Sequence, residues 1–212
     1  SRKSDCSIGV IYMSILNLPR EIRYQREICI VVGIIPNMDK EPNLQHMLTT
    51  MFKDLKVLWD GIKLKTSRHS QKYIRAALMC VTSDIPATRK LLGFMSCNSK
   101  QGCSKCKKEF SGNVETGMDY SGYDCELWPK RSTNEHRKIG SELKHGTMNK
   151  TNCKKYQSKT GYKYSPLLEL PYFDSVRFHV IDPMHNLFSG TAKALWKHWM
   201  IELKLFSNKD LN

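Results

Sequence analysis

The sequence has no long apolar run. Its longest one, residues 28–35, stops at Pro36, whereas a membrane-spanning helix needs roughly 18 to 20 apolar residues. The chain also begins without Met and shows no apolar signal segment followed by a small-residue cleavage site. We therefore expect no membrane span, no secretory signal and a chain cut from a longer protein.

Several catalytic motifs are missing as well. The sequence contains no G-x-x-x-x-G-K-[ST], no H-E-x-x-H and no G-x-S-x-G, which argues against a P-loop nucleotide site, a zincin protease and an α/β-hydrolase. It also has no H-x-E to pair with its C-x-x-C, so a zinc deaminase is excluded.

Acidic residues are scarce. Asp and Glu number 20 against 34 Lys and Arg, a net charge of +14, and the pI is near 9.4. This surplus favours a polyanionic partner, with DNA as the first candidate. An anionic membrane would require a basic amphipathic helix with an apolar opposite face, which we do not find, and an ordinary excess of surface lysine is the remaining alternative.

The basic residues are densest in segment 97–161, interleaved with aromatic residues. Contacts from such side chains to phosphates would give sequence-independent, salt-sensitive binding, although a solvated loop is the alternative. The candidate DNA-binding residues are Lys105, Lys107, Lys108, Lys130, Arg131, Arg137 and Lys138, and the same segment carries Lys100, Lys144, Lys150, Lys154, Lys155 and Lys159.

The eight cysteines are not spaced like a disulfide framework, which favours a reducing compartment, nuclear or cytosolic. One pair is close: Cys103 and Cys106 form a C-x-x-C after Gly102, the spacing of half a tetrahedral zinc site. Two further ligands are needed, and two free thiols in a polar loop are the alternative. The candidates are His179 and His185, or Cys97, Cys125 and Cys153.

Apolar patterning predicts an α/β fold. Runs over residues 8–18, 28–35 and 176–181 indicate strands, the second buried on both faces. Apolar stripes predict core-packed helices over 43–61 and 183–205, and Pro86 and Gly93 bracket a third. Segment 97–161 has no sustained periodicity and is interpreted as an insertion or a small metal-held lobe.

Asp84 follows an apolar segment and precedes a predicted helix. A carboxylate at the end of a buried strand suits a Mg²⁺ ligand, whereas the other interpretation is a helix N-cap. Asp182 lies between His179 and His185 in the sequence. It has three interpretations: a helix cap, a partner of a metal-bound histidine, or an alternative catalytic acid. Either histidine could instead be an ordinary buried one.

Seven short motifs occur in order along the chain, covering most of residues 8–200. They are SILNLPREIRY at 14–24, VGIIP at 32–36, SDIPATRKLLGF at 83–94, GCSKC at 102–106, DYSGYD at 119–124, LPYFD at 170–174 and RFHVIDPMHNLF at 177–188. Together they strongly resemble the transposase of CACTA (En/Spm) DNA transposons.

The resemblance implies a ribonuclease-H-like fold, a mixed sheet with helices interrupted by a basic zinc-binding insertion. Its parts would be a partial core at 1–96, the insertion at 97–164, and the histidine motif with a core helix at 165–212. It also implies an acidic triad that holds two Mg²⁺ or Mn²⁺ ions and cuts and joins DNA at transposon ends.

On this resemblance Asp84 corresponds to the second catalytic aspartate, and Glu202 is the candidate third acid. The first would precede the chain, so the fragment alone is expected to be inactive. Cys103, Cys106, His179 and His185 would hold one structural Zn²⁺. The resemblance implies a nuclear protein whose partners are transposon ends and target DNA, and whose complete form could be a homo-oligomer. The alternative is a decayed or domesticated transposase core that acts as a zinc-stabilised DNA-binding or protein-interaction module.

Overall fold

A computed structural model describes residues 9–36, 44–65, 67–68, 71–113, 117–119 and 124–203. The chain divides into two compact units, Ser1–Ala76 and Ala77–Asn212. The described residues form six α-helices and four two-stranded sheets, which confirms the mixed α/β class. They contain no larger sheet of the ribonuclease-H type, so this finer prediction still depends on the resemblance. No helix among them is long and apolar enough to cross a bilayer.

The first unit opens with an antiparallel strand pair. Strand β1 (Gly9–Met13) pairs with β2 (Ile30–Ile35), and helix α1 (Arg20–Arg23) lies between them. The strand predicted over 8–18 is shorter than expected, because a turn follows and Pro19, with its fixed φ, precedes the helix.

The prediction that β2 is buried on both faces is wrong. Ile30, Val31 and Ile34 are 51%, 61% and 59% exposed. Strand β2 has one partner strand among the described residues and contacts α2. Its apolar run therefore lacks the second strand and the layer on each face that a buried parallel strand has.

Helix α2 (Leu44–Asp60) confirms the helix predicted over 43–61. Its apolar stripe buries Leu48, Phe52 and Leu55. The helix ends at Gly61, whose φ of 102° is accessible mainly to glycine. The unit closes with an antiparallel pair, β3 (Ile62–Leu64) and β4 (Lys72–Ile74).

The second unit carries the remaining elements. In chain order they are β5 (Val81–Ser83), α3 (Ile85–Leu92), the hairpin β6 (Ser111–Asn113) and β7 (Gly117–Asp119), α4 (Thr133–His145), α5 (Lys150–Thr160), a 3₁₀ turn (Pro166–Glu169), β8 (His179–Ile181), a π-helical segment (Met184–Ala192), α6 (Lys193–Lys197) and a second π-helical segment (His198–Glu202). Strands β5 and β8 pair in parallel, and the three predicted segments 1–96, 97–164 and 165–212 all contribute to this unit.

Segment 97–161 is more ordered than its polar sequence predicts, since it contains α4 and α5. Helix α4 buries His136 and Ile139 in the core of the unit, and a Cβ added at Gly140 would lie 2.7 Å from Leu168 Cδ1. The buried apolar residues here are Leu92, Phe94, Cys106, Ile139, Tyr162, Leu167, Leu168, Leu170 and Phe173. The insertion is therefore part of the hydrophobic core.

The helix predicted over 183–205 is helical across the described stretch from Met184 to Glu202. The expectation that its apolar stripe lies in the core is wrong for the described residues, because Phe188 is 65% and Trp196 56% exposed. Positions 204 and 205 lie outside the described residues.

Candidate functional site

Two aspartates meet at one edge of the parallel strand pair. In the register of β5 and β8, Ser83 lies opposite Ile181, so Asp84 and Asp182 each follow the carboxyl end of neighbouring strands. Side chains that leave a parallel sheet at this edge enter the crevice where α/β proteins place functional groups. The structure thus brings Asp84 and Asp182 to the same edge.

An open cleft of ≈540 Å³ lies at this edge. Its lining residues are Asp84, Ile85, Pro86, Asp182, His185, Asn186, Gly190, Thr191 and Ala194. The side chain of Asp84 is exposed, and its Oδ1 accepts a hydrogen bond of 2.8 Å from the backbone N–H of Ala87. Asp84 therefore caps α3, as one of the two interpretations predicted, while its second carboxylate oxygen is not used in that bond.

His185 lies in this cleft beside Asp182. Its Nδ1 contacts Asp182 Oδ2, and that hydrogen bond raises the pKa of His185, with the negative charge of Asp84 adding to the effect. The same bond, together with the backbone N–H of Met184, lowers the pKa of Asp182. The cleft therefore combines two carboxylates with an imidazole that they make more basic.

Residues 102–106, which carry Cys103 and Cys106 and are called the cysteine turn below, form a second site. The backbone N–H of Lys105 donates to Cys103 Sγ at 3.3 Å, and that of Lys108 donates to Cys106. Burial raises the pKa of the Cys103 thiol, but the N–H groups of Lys105 and Cys106 and the Cys106 thiol outweigh it, so the pKa is lowered overall. Burial raises the pKa of Cys106. Backbone N–H groups directed at sulfur stabilise the thiolate form that binds metals.

His179 lies against this turn. It is buried, its Nδ1 is 2.9 Å from the carbonyl oxygen of Ser175, and its Nε2 is 2.9 Å from Ser104 Oγ. Because a carbonyl can only accept, Nδ1 carries the proton and Nε2 presents its lone pair to the turn. A backbone carbonyl fixes metal-binding histidines in the same way. Burial, followed by the charge of Lys105, lowers the pKa of His179 to about 4, so the ring is neutral at physiological pH.

The four predicted zinc ligands are therefore split between two places. Cys103 and His179 line one small pocket beside the turn, whereas His185 lines the Asp84 cleft. Among the described residues, no group of three or more His, Cys, Asp or Glu side chains is arranged to hold a metal ion. The zinc tetrad and the Mg²⁺ site at Asp84 both remain predictions.

Arg89 is a residue of this region that the sequence analysis missed. Its guanidinium interacts electrostatically with Cys97 and Cys103. Its buried Nε and Nη1 have no hydrogen-bond partner among the described residues. Cys97 also adjoins the turn through its backbone, since a Cβ added at Gly102 would lie 2.5 Å from the Cys97 carbonyl oxygen. Of the alternative ligands, Cys97 therefore lies next to the turn.

Most of the predicted DNA-binding residues make internal contacts. Arg131 is 5% exposed and donates to backbone carbonyls, and Arg137 Nη2 donates to three carbonyls between Leu170 and Phe173. Arg131 is buried and Arg137 half-buried, and both donate to carbonyls of the protein. Their role in DNA binding remains a prediction. No signal in the sequence separates these two arginines from the surface lysines.

The remaining lysines of this set differ in their surroundings. Lys105 Nζ donates to the carbonyl oxygens of Val176 and His179, and Lys107 pairs with Glu135 at 2.9 Å. Lys108 lies 5.9 Å from the ring centroid of Trp128. Lys130 donates to the Cys125 carbonyl, and Lys138 is exposed. Lys130 and Lys138 are thus the two exposed members of the predicted set.

Glu202, the candidate third acid, lies at the end of the C-terminal helical stretch. It pairs with His198 at 2.6 Å and is not among the residues that line the Asp84 cleft. Its catalytic role remains a prediction. Comparison with known proteins gives no relative, since no family model, curated protein or solved structure matches this chain.

Proposed function

We propose that this chain is part of a DDE/D-type DNA transposase, which cuts and joins DNA at transposon ends by two-metal phosphodiester chemistry in the nucleus. The observation that carries the proposal is the pairing of β5 with β8, which sets Asp84 and Asp182 at one edge of an open cleft. The seven motifs that resemble those of CACTA (En/Spm) transposases and the net charge of +14 support it further.

The cleft has the chemistry that this reaction requires. Mg²⁺ and Mn²⁺ prefer oxygen ligands, and a pair of such ions activates the attacking oxygen and stabilises the leaving one. Asp84 would supply the central carboxylate and Asp182 an alternative acid, with Glu202 as the proposed third. The two strands that end at these aspartates would belong to the proposed ribonuclease-H-like sheet.

The role of Asp84 can be tested because asparagine is as good an N-cap as aspartate. We expect Asp84→Asn to keep α3 and the thermal stability of the protein while weakening Mn²⁺ binding at least tenfold, since a charged ligand is lost. Titration calorimetry with Mn²⁺ measures this directly. Asp124→Asn, a change at an exposed acid outside the cleft, is the matched control.

If Asp84→Asn binds Mn²⁺ as well as the wild type does, Asp84 is only a cap. The second candidate function would then hold: a zinc-stabilised DNA-binding or protein-interaction module derived from a transposase core. The observation that favours it is that Asp84 Oδ1 already accepts the capping bond from the Ala87 N–H, a structural role that requires no metal.

We further propose that the cysteine turn holds one structural Zn²⁺. Backbone N–H groups directed at Cys103 and Cys106 support two of the ligands. The Nε2 of His179 faces the same turn and would become the third ligand by exchanging its 2.9 Å hydrogen bond from Ser104 Oγ for the metal. His185 is the fourth in the motif-based assignment, while Cys97 is the candidate that lies next to the turn. Zinc would tie the turn to β8, which stabilises the fold in proportion to the metal affinity.

Zinc content measured by plasma mass spectrometry distinguishes these ligand sets. We expect about one zinc per chain in the wild type, and its loss in His179→Ala and in Cys103→Ser. Comparing His185→Ala with Cys97→Ser identifies the fourth ligand, because only the true ligand's variant should lose zinc. A folded wild type without zinc would contradict the site itself.

A further inference from the structure

The structure reveals a basic helical face in α5 that the sequence pattern does not. The helix contains four lysines, Lys150, Lys154, Lys155 and Lys159, and no acidic residue. All four are exposed, as are Thr151 and Ser158 between them. At about 100° per residue these positions cover roughly half of the helix circumference. We call Lys150, Lys154, Lys155 and Lys159 the α5 lysine face.

The opposite side of α5 is attached to the rest of the unit. Tyr156 donates to Glu142 of α4 at 2.6 Å, and the carbonyl of Thr160 accepts from Arg131 at 3.1 Å. Asn149 caps the first turn through a 2.9 Å bond from the Asn152 N–H. The helix is therefore attached through its middle and its C-terminal end, with the exposed lysine face on the opposite side.

The charges of this face are not neutralised within the protein. Among the described residues, none of the four lysines forms an ion pair. Glu142, the acid that contacts α5, is on the attached side of the helix, where it accepts from Tyr156. A row of uncompensated cations on a fixed helix generates a positive potential that attracts a polyanion.

We propose that the α5 lysine face binds the phosphate backbone of duplex DNA; this inference rests on the proposed action on DNA. Lysine is a flexible point charge suited to phosphate rather than to bidentate base recognition. The hydroxyls of Thr151 and Ser158 are additional phosphate donors. Binding at this face is therefore independent of base sequence and steeply dependent on salt.

A membrane surface fits this face less well. Interfacial helices bury an apolar side between lipid headgroups, whereas the side of α5 opposite the lysines carries Cys153, Tyr156, Gln157 and Thr160 and faces the protein. An apolar wedge that could enter a bilayer is missing from the described helix. Duplex DNA, which is recognised by charge alone, requires no such wedge.

The test is DNA binding by a variant with all four α5 lysines changed to glutamine. Glutamine has nearly the same helix propensity as lysine, so α5 is retained. Its control changes Lys53, Lys56, Lys63 and Lys65, four exposed lysines of the first unit, to glutamine and removes the same charge. Fluorescence anisotropy with a labelled random-sequence duplex, between about 50 and 200 mM salt, gives the affinity and its salt slope.

We expect the α5 variant to bind at least about tenfold more weakly and its salt slope to fall by about 2 to 4, near 0.9 for each phosphate that the variant no longer neutralises. The control variant should stay close to the wild type. Equal reductions in the two variants, or an α5 variant that binds like the wild type, would overturn the α5 assignment and leave the proposed action on DNA intact. A wild type that binds anionic vesicles but no duplex would overturn both.

Discussion

Replacing His136 with alanine is expected to lower the free energy of unfolding by about 3 to 5 kcal/mol, the range of large core truncations. The side chain is fully buried, with 0% exposure. Its Nε2 donates to the carbonyls of Gly93 and Lys163 at 3.1 and 3.0 Å, and its Nδ1 accepts from Ser175 Oγ at 2.9 Å. Truncation leaves a cavity and removes three hydrogen bonds, although the Gly93 carbonyl still accepts from the Lys163 N–H at 2.7 Å.

Chemical denaturation in urea measures this effect. His145→Ala, at the exposed end of the same helix, is the control and should change the stability by less than about 0.5 kcal/mol. Similar losses of stability in both variants would mean that His136 contributes only through helix propensity, and the arrangement of hydrogen bonds around the imidazole would then not be what stabilises the core.

The burial of His136 should also make the stability of the protein sensitive to acid. Burial lowers its pKa from 6.5 to about 4, so the folded state disfavours the protonated ring. Its contribution is complete above about pH 6.5 and is lost as the pH falls towards 4, because the unfolded chain takes up the proton first. Between about pH 7.5 and 5.5 we expect His136 to account for a loss of about 1 kcal/mol, and His179, whose pKa is also lowered to about 4, adds a similar amount. Urea denaturation at each pH should therefore show a loss in His136→Gln that is smaller than that of the wild type by about 1 kcal/mol.

Replacing Arg131 with lysine is expected to destabilise the protein by about 2 to 4 kcal/mol, although the charge is kept. The guanidinium donates from Nε to the carbonyls of Cys103 and Cys106, from Nη1 to Thr160 and from Nη2 to Gln101, at 2.7 to 3.1 Å. It also lies 4.4 Å from the centroid of the Tyr162 ring. A lysine cannot reproduce this planar set of donors.

The proposed zinc should also be retained more weakly in this variant, because Arg131 holds the carbonyls of Cys103 and Cys106 in place. Thermal denaturation and a zinc-release assay on Arg131→Lys measure the two effects separately. Lys130→Ala, at an exposed neighbouring position, serves as the comparison. If Arg131→Lys were as stable as Lys130→Ala, the four carbonyls would have to find other donors, and the buried role of Arg131 would be wrong.

Elements with a strong local signal were predictable from the sequence. The apolar stripe from Leu44 to Asp60 predicted α2 because its period matches a helix packed on one side. Asp84, Pro86 and Gly93 bounded α3 because capping and a left-handed C-terminal residue are local backbone requirements. Both helices are close to their predicted bounds.

Elements whose packing is polar were not predictable in this way. Helix α5 uses Tyr156, Gln157 and Thr160 on its attached side, so it shows no hydrophobic period. For strand β2 the sequence predicted too much burial. An apolar run indicates burial only when other elements cover it, and Ile30 and Val31 are exposed. Arg131 was assigned to DNA because sequence shows the charge of a side chain but not its depth.

The sequence by itself determined the mixed α/β class, the basic charge and the residue types able to hold metals, because composition, periodicity and caps are properties of short segments. Tertiary structure alone decided which of those residues meet. The register of β5 with β8 brought Asp84 beside Asp182, and packing set His179 at the cysteine turn while His185 lies in the Asp84 cleft. These contacts depend on strand pairing between segments nearly a hundred residues apart, and no local sequence pattern encodes that pairing.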